Sequence, residues 1–459
     1  MPVYLIAAIV LAFAAYAFHL GRGRVMSAAT SGFHLNSLPR YYGVYAILAC
    51  VVPASIVLVL WLILEPRIIE SMVVASLPAD MQALSEARLG LLLNDIRNLA
   101  SDGISSGTPD AATLGAVAYY QHLKMIGDAA MFVVVLVVVS LGLLYARTRI
   151  TPALKARERV ERAIKIFLIA SSTVAIMTTI GIVLSLLFES MRFFNTVSVT
   201  EFLFGLNWSP QTALRADQVG SSGAFGAIPL FAGTLLITLI AMCVAVPVGL
   251  MSAVYMADYA SNHVRAIAKP ILEILAGIPT VVYGLFAALV VAPHIRDMGQ
   301  AIGLDVASES ALAAGLVMGI MIIPFVSSLS DDVINAVPQS LRDGSYGMGA
   351  TKSETIRKVV LPAALPGIVG AVLLAVSRAI GETMIVVMAA GLAANLTANP
   401  LEAVTTVTVQ IVTLLVGDQE FDSAKTLSAF ALGLTLFTIT LSLNILALNV
   451  VRKYREKYD

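Results

Sequence analysis

Two ionisable residues stand four apart inside an otherwise apolar run, Arg378 and Glu382. On one helix that spacing puts both on the same face, where they are able to pair. The run begins near residue 368, so Arg378 lies ten residues in, about 15 Å at 1.5 Å per residue. That is close to the middle of a hydrocarbon layer roughly 30 Å thick. An arginine at such a depth costs roughly 2.5–3.5 kcal/mol on insertion scales. The residues alone leave two readings open, a structural ion pair and the lining of a polar pathway. In the second, the arginine attracts an anion and the glutamate holds the arginine until substrate competes. The forked donors of a guanidinium suit the oxygens of an oxyanion. Ser377 and Thr383 flank the pair and belong to the same candidate pathway.

A second stretch with its own chemistry runs from Val337 to Pro362. It is polar, mixed in charge and helical in its periodicity. Leu341, Tyr346, Met348, Ile356 and Val359-Val360 supply apolar contacts, and Arg342, Asp343, Lys352, Glu354, Arg357 and Lys358 a wet face. Gly344, Gly347 and Gly349 weaken one long helix and favour two short ones with a bend. Pro362 and Pro366 then redirect the chain into the next apolar helix. Elsewhere Gly277-Ile278-Pro279-Thr280 breaks an apolar run, and a kinked packing site and a gate hinge both remain open.

Other chemistry is excluded. His19, His34, His122, His263 and His294 are scattered without metal spacing. Cys50 and Cys243 lie in apolar runs and form no disulfide framework. Gly349-Ala350-Thr351-Lys352-Ser353 ends in Lys-Ser but lacks the glycine before lysine of a nucleotide-binding loop. No cofactor is expected in this chain; any ATP and Mg would be bound by a partner ATPase.

The elements that must position these residues are membrane helices. Hydrophobic residues make up 58% of the 459 and charged ones 13%, with mean hydropathy +0.88. Soluble domains average about 25% charged. Net charge is zero, so no global field argues for nucleic acid. The expected class is an all-α integral membrane protein of about nine transmembrane helices. The spans fall near 2–20, 43–64, 129–146, 164–188, 227–256, 268–292, 311–330, 366–390 and 426–450. The first is not read as a signal peptide, because no basic region precedes it and Arg22 and Arg24 follow it.

Loop charge sets the orientation. Arg22, Arg24 and Arg40, the basic stretch 147–165, Arg265 with Lys269, and the basic tail all belong on the cytoplasmic side. The N-terminus is then outside and the C-terminus inside. The stretch 65–128, with eight acidic and four basic residues, falls outside and reads as a small helical cap. Its apolar middle, Met81 to Leu99, is interrupted by Asp102-Gly103 and Gly107-Thr108-Pro109. A basic helical linker over 147–162 divides a front part of three spans, residues 1–162, from a back part of six, residues 163–459. Asp331 and Asp332 are read as solvated or loop-positioning, and Trp61 and Trp208 as interfacial anchors. Glu273 reads as an interface charge, and 391–425 as holding a re-entrant or surface helix.

Asp343-Gly344-Ser345, Gly349, Val359 and Leu361-Pro362 resemble the EAA loop of ABC importer permeases. The spacing fits throughout, while the opening triad reads Asp-Gly-Ser and keeps only the acidic first position. The resemblance implies a type I ABC importer permease core of six helices. It also implies a cytoplasmic coupling helix seated in a groove of an ATPase, with Gly349, Ala350 and Thr351 at the bend. Ser377 to Met384, reading SRAIGETM, resembles the signature of Pst-type phosphate importer permeases, and the methionine resembles PstC rather than PstA. Glu273–Leu285 and Phe225–Leu235 resemble two further stretches of that family. The resemblance covers about 164–459. It implies a PstA-like second permease, two copies of a PstB-like ATPase and a PstS-like phosphate-binding protein, in a bacterial inner membrane. Beside that stand a permease for another oxyanion or small solute, and a membrane scaffold without transport.

Overall fold

The structure, a computed structural model, describes residues 3–30, 33–82, 84–101, 110–212, 222–416 and 423–454. Among these residues, nine helices are long and apolar enough to cross a membrane. The chain divides into two compact units, residues 1–177 and 178–459.

In the first unit, α1 (Val3–Thr30), α2 (Pro39–Ser76) and α5 (Ala111–Arg149) are long apolar helices. Ile6, Ala17, Tyr42, Ala46, Cys50, Met131 and Val135 form their common core. Between α2 and α5 come α3 (Ala79–Gln82) and α4 (Glu86–Ala100), which take up the apolar-periodic stretch. Ile96 packs with Ile69, Val73 and Val117 in a separate small core. Residues 102–109, with the expected interruptions, lie outside the described residues. Asp110 caps α5 by accepting from the Ala111 amide at 2.7 Å. Lower in the bundle, Lys124 reaches Glu65 at 2.9 Å, and the Glu65 side chain is almost fully buried.

The basic helical linker expected over 147–162 is helical only at its two ends. Helix α5 ends at Arg149, and α6 (Ala156–Phe194) begins after a break. Pro152 accounts for the break, since it supplies no amide and disfavours helical geometry before it.

In the second unit, the end of α6 and α7 (Val199–Phe204) lead to an antiparallel hairpin, β1 (Trp208–Thr212) and β2 (Ser222–Phe225). Phe193, Phe202, Phe225 and Trp208 meet edge to face beneath it. Trp208 is therefore buried in a core, not placed as an interfacial anchor. Helix α8 (Ile228–Val254), continued by a π turn over Tyr255–Tyr259, packs along α12 (Ala311–Asn335). Their contact is built from small and β-branched residues, among them Ala241, Ala245, Ala314, Val317 and Val326.

The expected span over 268–292 is also corrected. Residues Asn262–Ala276 form α9, an amphipathic helix capped by Ser261. Gly277 and Pro279 end it, and the membrane-length helix starts only at Thr280. That helix joins α10 (Thr280–Phe286), a π turn over Ala287–Val291, and α11 (Ala292–Ala301). Arg265, Lys269 and Glu273 repeat every four residues along α9, which a bilayer core would not accept on a continuous span.

After α12 come α13 (Gln339–Gly347) and α14 (Lys352–Thr355), then a π turn over Ile356–Val360 and α15 (Leu361–Ile380). Helix α15 stops short of the expected residue 390. Beyond it lie α16 (Met384–Ala389) and α17 (Val407–Leu415), joined by an extended segment that is buried at Val404, Thr405 and Thr406. This forms a re-entrant hairpin within the bundle. Non-helical backbone is tolerated at such depth only when its polar groups are paired within the protein. The Val404 amide donates to Ala390 O, the Val407 amide to Thr234 Oγ1, and the Ala311 and Leu312 amides to Glu402 O and Pro400 O. Gly233 of α8 has to be glycine for this, since a Cβ there would lie 2.2 Å from Thr405 O. Helix α18 (Ala424–Tyr454) closes the unit, and the tail from 455 lies outside the described residues.

Candidate functional site

Arg378 and Glu382 are not a pair. Helix α15 ends at Ile380, Gly381 caps it, and the chain turns before α16. The i, i+4 geometry is therefore interrupted between the two residues. Glu382 Oε1 instead accepts from the Met384 amide at 3.1 Å, opening α16. Thr408 Oγ1 of α17 donates to Glu382 O at 2.9 Å and holds the break in place. Arg378 is exposed, with its guanidinium 5.7 Å from the Phe325 ring centroid. Among the described residues, no carboxylate or hydroxyl bonds it. A guanidinium with its fork unengaged beside an aromatic face is an open receptor for an oxyanion. Ser377 is half-buried on α15, and Thr383 Oγ1 turns back on Gly381 O at 3.5 Å.

Arg378 lines a cavity of about 290 Å³ with residues of α9 and α12, including Lys269, Glu273, Phe325, Ser327 and Asp331. Asp331, read from the sequence as solvated or loop-positioning, is not solvated: its side chain is 0% exposed. Arg265 Nη2 donates to both its carboxylate oxygens, at 3.1 and 2.9 Å, and Lys269 Nζ donates to Oδ2 at 3.2 Å. Asn335 Nδ2 adds a bond to Oδ1 at 2.8 Å. A buried carboxylate requires such partners. The hydrogen bond to Asp331 raises the pKa of the Lys269 ammonium, which keeps it charged. Asp332, by contrast, faces solvent.

The stretch 337–362, which its resemblance implies to be a docking segment, has the expected bend. Gly349 adopts φ +86°, a conformation that disfavours any side chain. Thr351 and Glu354 form a reciprocal capping box at the start of α14. Ser345 Oγ and Thr355 Oγ1 lie 2.9 Å apart and tie α13 to α14 inside the turn. Asp343 stays at the surface, bonded by Gln339 at 3.0 Å, while Gly344 has open space beside it. Ala350 directs its amide to Ser345 O at 3.2 Å. Leu361 and Pro362 begin α15. Met348 projects at the tip, 89% exposed, with Tyr346 also exposed.

Arg342, assigned by sequence to the wet face, is buried. It pairs with Asp258 at the end of α8's π turn and donates to Ile334 O at 2.9 Å. The docking segment is thus bolted to two helices of the bundle. Lys352 adds a cation–π contact to Tyr259 at 5.1 Å. Gly277 and Pro279 cap α9 and α10 respectively, so they separate two helices instead of kinking one.

Sequence reading missed the Asp331 cluster and the Arg342–Asp258 pair. The four-residue spacing of Arg265 and Lys269 was the signal for the first. The second joins residues 84 apart and left none. Gln410 was missed as well; its Oε1 accepts from the Trp208 indole at 3.0 Å.

Two family models match. One, described as a phosphate ATP-binding cassette transporter, covers residues 7–178. The other, described as a binding-protein-dependent transport system inner membrane component, covers residues 245–456. A probable ABC transporter permease protein of Bacillus subtilis, YqgH, is 32% identical over 273 residues, 59% of this chain and 84% of that protein. A phosphate transport system permease protein PstC 1 of Mycobacterium tuberculosis is 31% identical over 277 residues, 55% of this chain and 81% of that protein. The PstC of Haemophilus influenzae is 35% identical over 153 residues, and the chain spans only 49% of its length.

Proposed function

The chain belongs to the inner-membrane permeases of binding-protein-dependent ABC transporters, and we propose that it is the PstC-like half of a phosphate importer's membrane pathway. The observation that carries this reading is Arg378, a guanidinium at a helix break in the bundle that lies over the Phe325 ring and has no ion-pair or hydrogen-bond partner among the described residues. Its role is electrostatic attraction and forked hydrogen bonding to phosphate. Glu382 forms no ion pair with it; that carboxylate accepts from the α16 amides instead. The arginine therefore needs no displacement of a counter-ion before it accepts substrate.

The mechanism divides between two ends of the unit. A PstS-like protein delivers phosphate from outside, and a PstA-like permease supplies the facing half of the pathway. Two PstB-like ATPases bind below and hydrolyse ATP, for which this chain has no nucleotide loop. Met348 and Tyr346 are the apolar tip that enters the ATPase groove. Movement there passes through Arg342 to the ends of α8 and α12. In this arrangement the docking segment is cytoplasmic, the N-terminus outside and the C-terminus inside, in a bacterial inner membrane.

The test is phosphate uptake by proteoliposomes holding the whole assembly. Arg378→Gln should lower uptake by at least about tenfold, the equivalent of one charge-assisted hydrogen bond, with assembly intact. Arg378→Lys should restore only part of it, because a point charge lacks the fork. Unchanged uptake in Arg378→Gln would refute the pathway role. Uptake of sulfate with no uptake of phosphate would move the chain to another oxyanion.

A further inference from the structure

The cavity that Arg378 lines has a second cation in its lining, Lys269, and that cation is replaceable. Asp331 is fully buried and must stay paired, yet it has more partners than it needs. Arg265 engages both of its oxygens, and Asn335 supports Oδ1. Lys269 adds a further bond to Oδ2, which Arg265 already holds at 2.9 Å. Lys269 alone of the two cations also lines the cavity. It can turn to a ligand while Asp331 remains paired. Ser327 Oγ, buried and without a hydrogen-bond partner among the described residues, belongs to the same lining. Some 290 Å³ accommodates an oxyanion with several waters, each taking about 30 Å³.

We propose that this cavity is an inner oxyanion site, filled from Arg378 and held by Lys269 and the Ser327 hydroxyl before release. The inference rests on the phosphate-pathway reading and adds to it a second holding point. When the site is empty, Lys269 returns to Asp331 and keeps the cavity free of an unpaired charge. When an anion enters, it takes Lys269 and leaves Asp331 to Arg265. Glu273, also on the lining, keeps the site from binding the anion too tightly to let go.

An inner site acts after capture, so its loss lowers the maximal rate and leaves half-saturation unchanged. In proteoliposomes of the complete complex with inorganic phosphate, Lys269→Gln should cut the maximal rate about tenfold, the loss of one charge-assisted bond. Ser327→Ala should cut it about threefold, as for a neutral hydrogen bond. Lys269→Arg should keep most of the rate. The thermal midpoint of Lys269→Gln should stay near that of the unaltered complex, because Arg265 still pairs Asp331. A wild-type rate in Lys269→Gln would overturn the site, and so would a fall that merely follows a lowered midpoint. If the unaltered complex imports no phosphate, the reading beneath fails first, and that outcome is separate from either of these.

Discussion

A charge survives inside a bundle when something uses it, and the residues here differ in what that use is. Arg342 and Asp258 bury each other at the root of the docking segment. Removing one partner from such a pair costs about 3–5 kcal/mol, because the other is left buried and unpaired. Asp258 Oδ2 already lacks a hydrogen-bond partner among the described residues. Arg342→Met should therefore lower the thermal midpoint of the assembly and release the ATPase, as read by unfolding and co-purification. Adding Asp258→Met should recover much of the midpoint but not the coupling. Equal midpoints for Arg342→Met and the unaltered chain would show the pair to be incidental. Arg378 was legible in the sequence because its cost at mid-bilayer demands a reason. Its partner was misread because spacing implies a pair only along an unbroken helix, and Gly381 ends that helix. Of the two readings of Asp331, solvated or loop-positioning, the first fails because α9 folds back to cover it, and a position in the sequence carries no sign of that cover.

Helices were the most readable elements, since apolar length is a strong signal. What the pattern could not separate was a long apolar run from two shorter elements in sequence. The run over 268–292 hid the boundary between α9 and α10, and the run up to 390 hid the break before α16. Hydropathy averages across such breaks, while caps and prolines define them. The two-stranded hairpin had no apolar alternation to reveal it; Ser209, Pro210 and Gln211 fill its first strand. The docking segment was clear because glycine placement speaks to conformation directly. Gly349→Val should be strained at φ +86° by roughly 1–3 kcal/mol. No atom lies within 4 Å of its Cβ position, so crowding plays no part. The variant should insert and assemble as a membrane protein yet lose ATPase-driven uptake. Normal uptake with ATPase bound would mean the bend is not required for coupling.

The molecule as a whole has two compact units with separate polar features. In the first unit, Lys124 is the partner that balances buried Glu65. Lys124→Met leaves that carboxylate unpaired, at a cost of about 1–3 kcal/mol because the lysine itself is half in solvent. If transport resides in the second unit, this variant should shift unfolding while uptake per assembled complex stays unchanged. A proportionate fall in uptake would instead give the first unit a share in transport.

The chain has two tryptophans, one in each unit. Trp61 is on α2, and its buried indole nitrogen has no hydrogen-bond partner among the described residues. Trp208 is bonded to Gln410 on the re-entrant hairpin. Each unit therefore carries its own native fluorophore, and the two sit in different polar surroundings. A Trp61→Phe variant would leave Trp208 of β1 as this chain's single emitter, its indole bonded to Gln410 of the re-entrant hairpin, so that a movement of that hairpin becomes a colour change readable without any added dye.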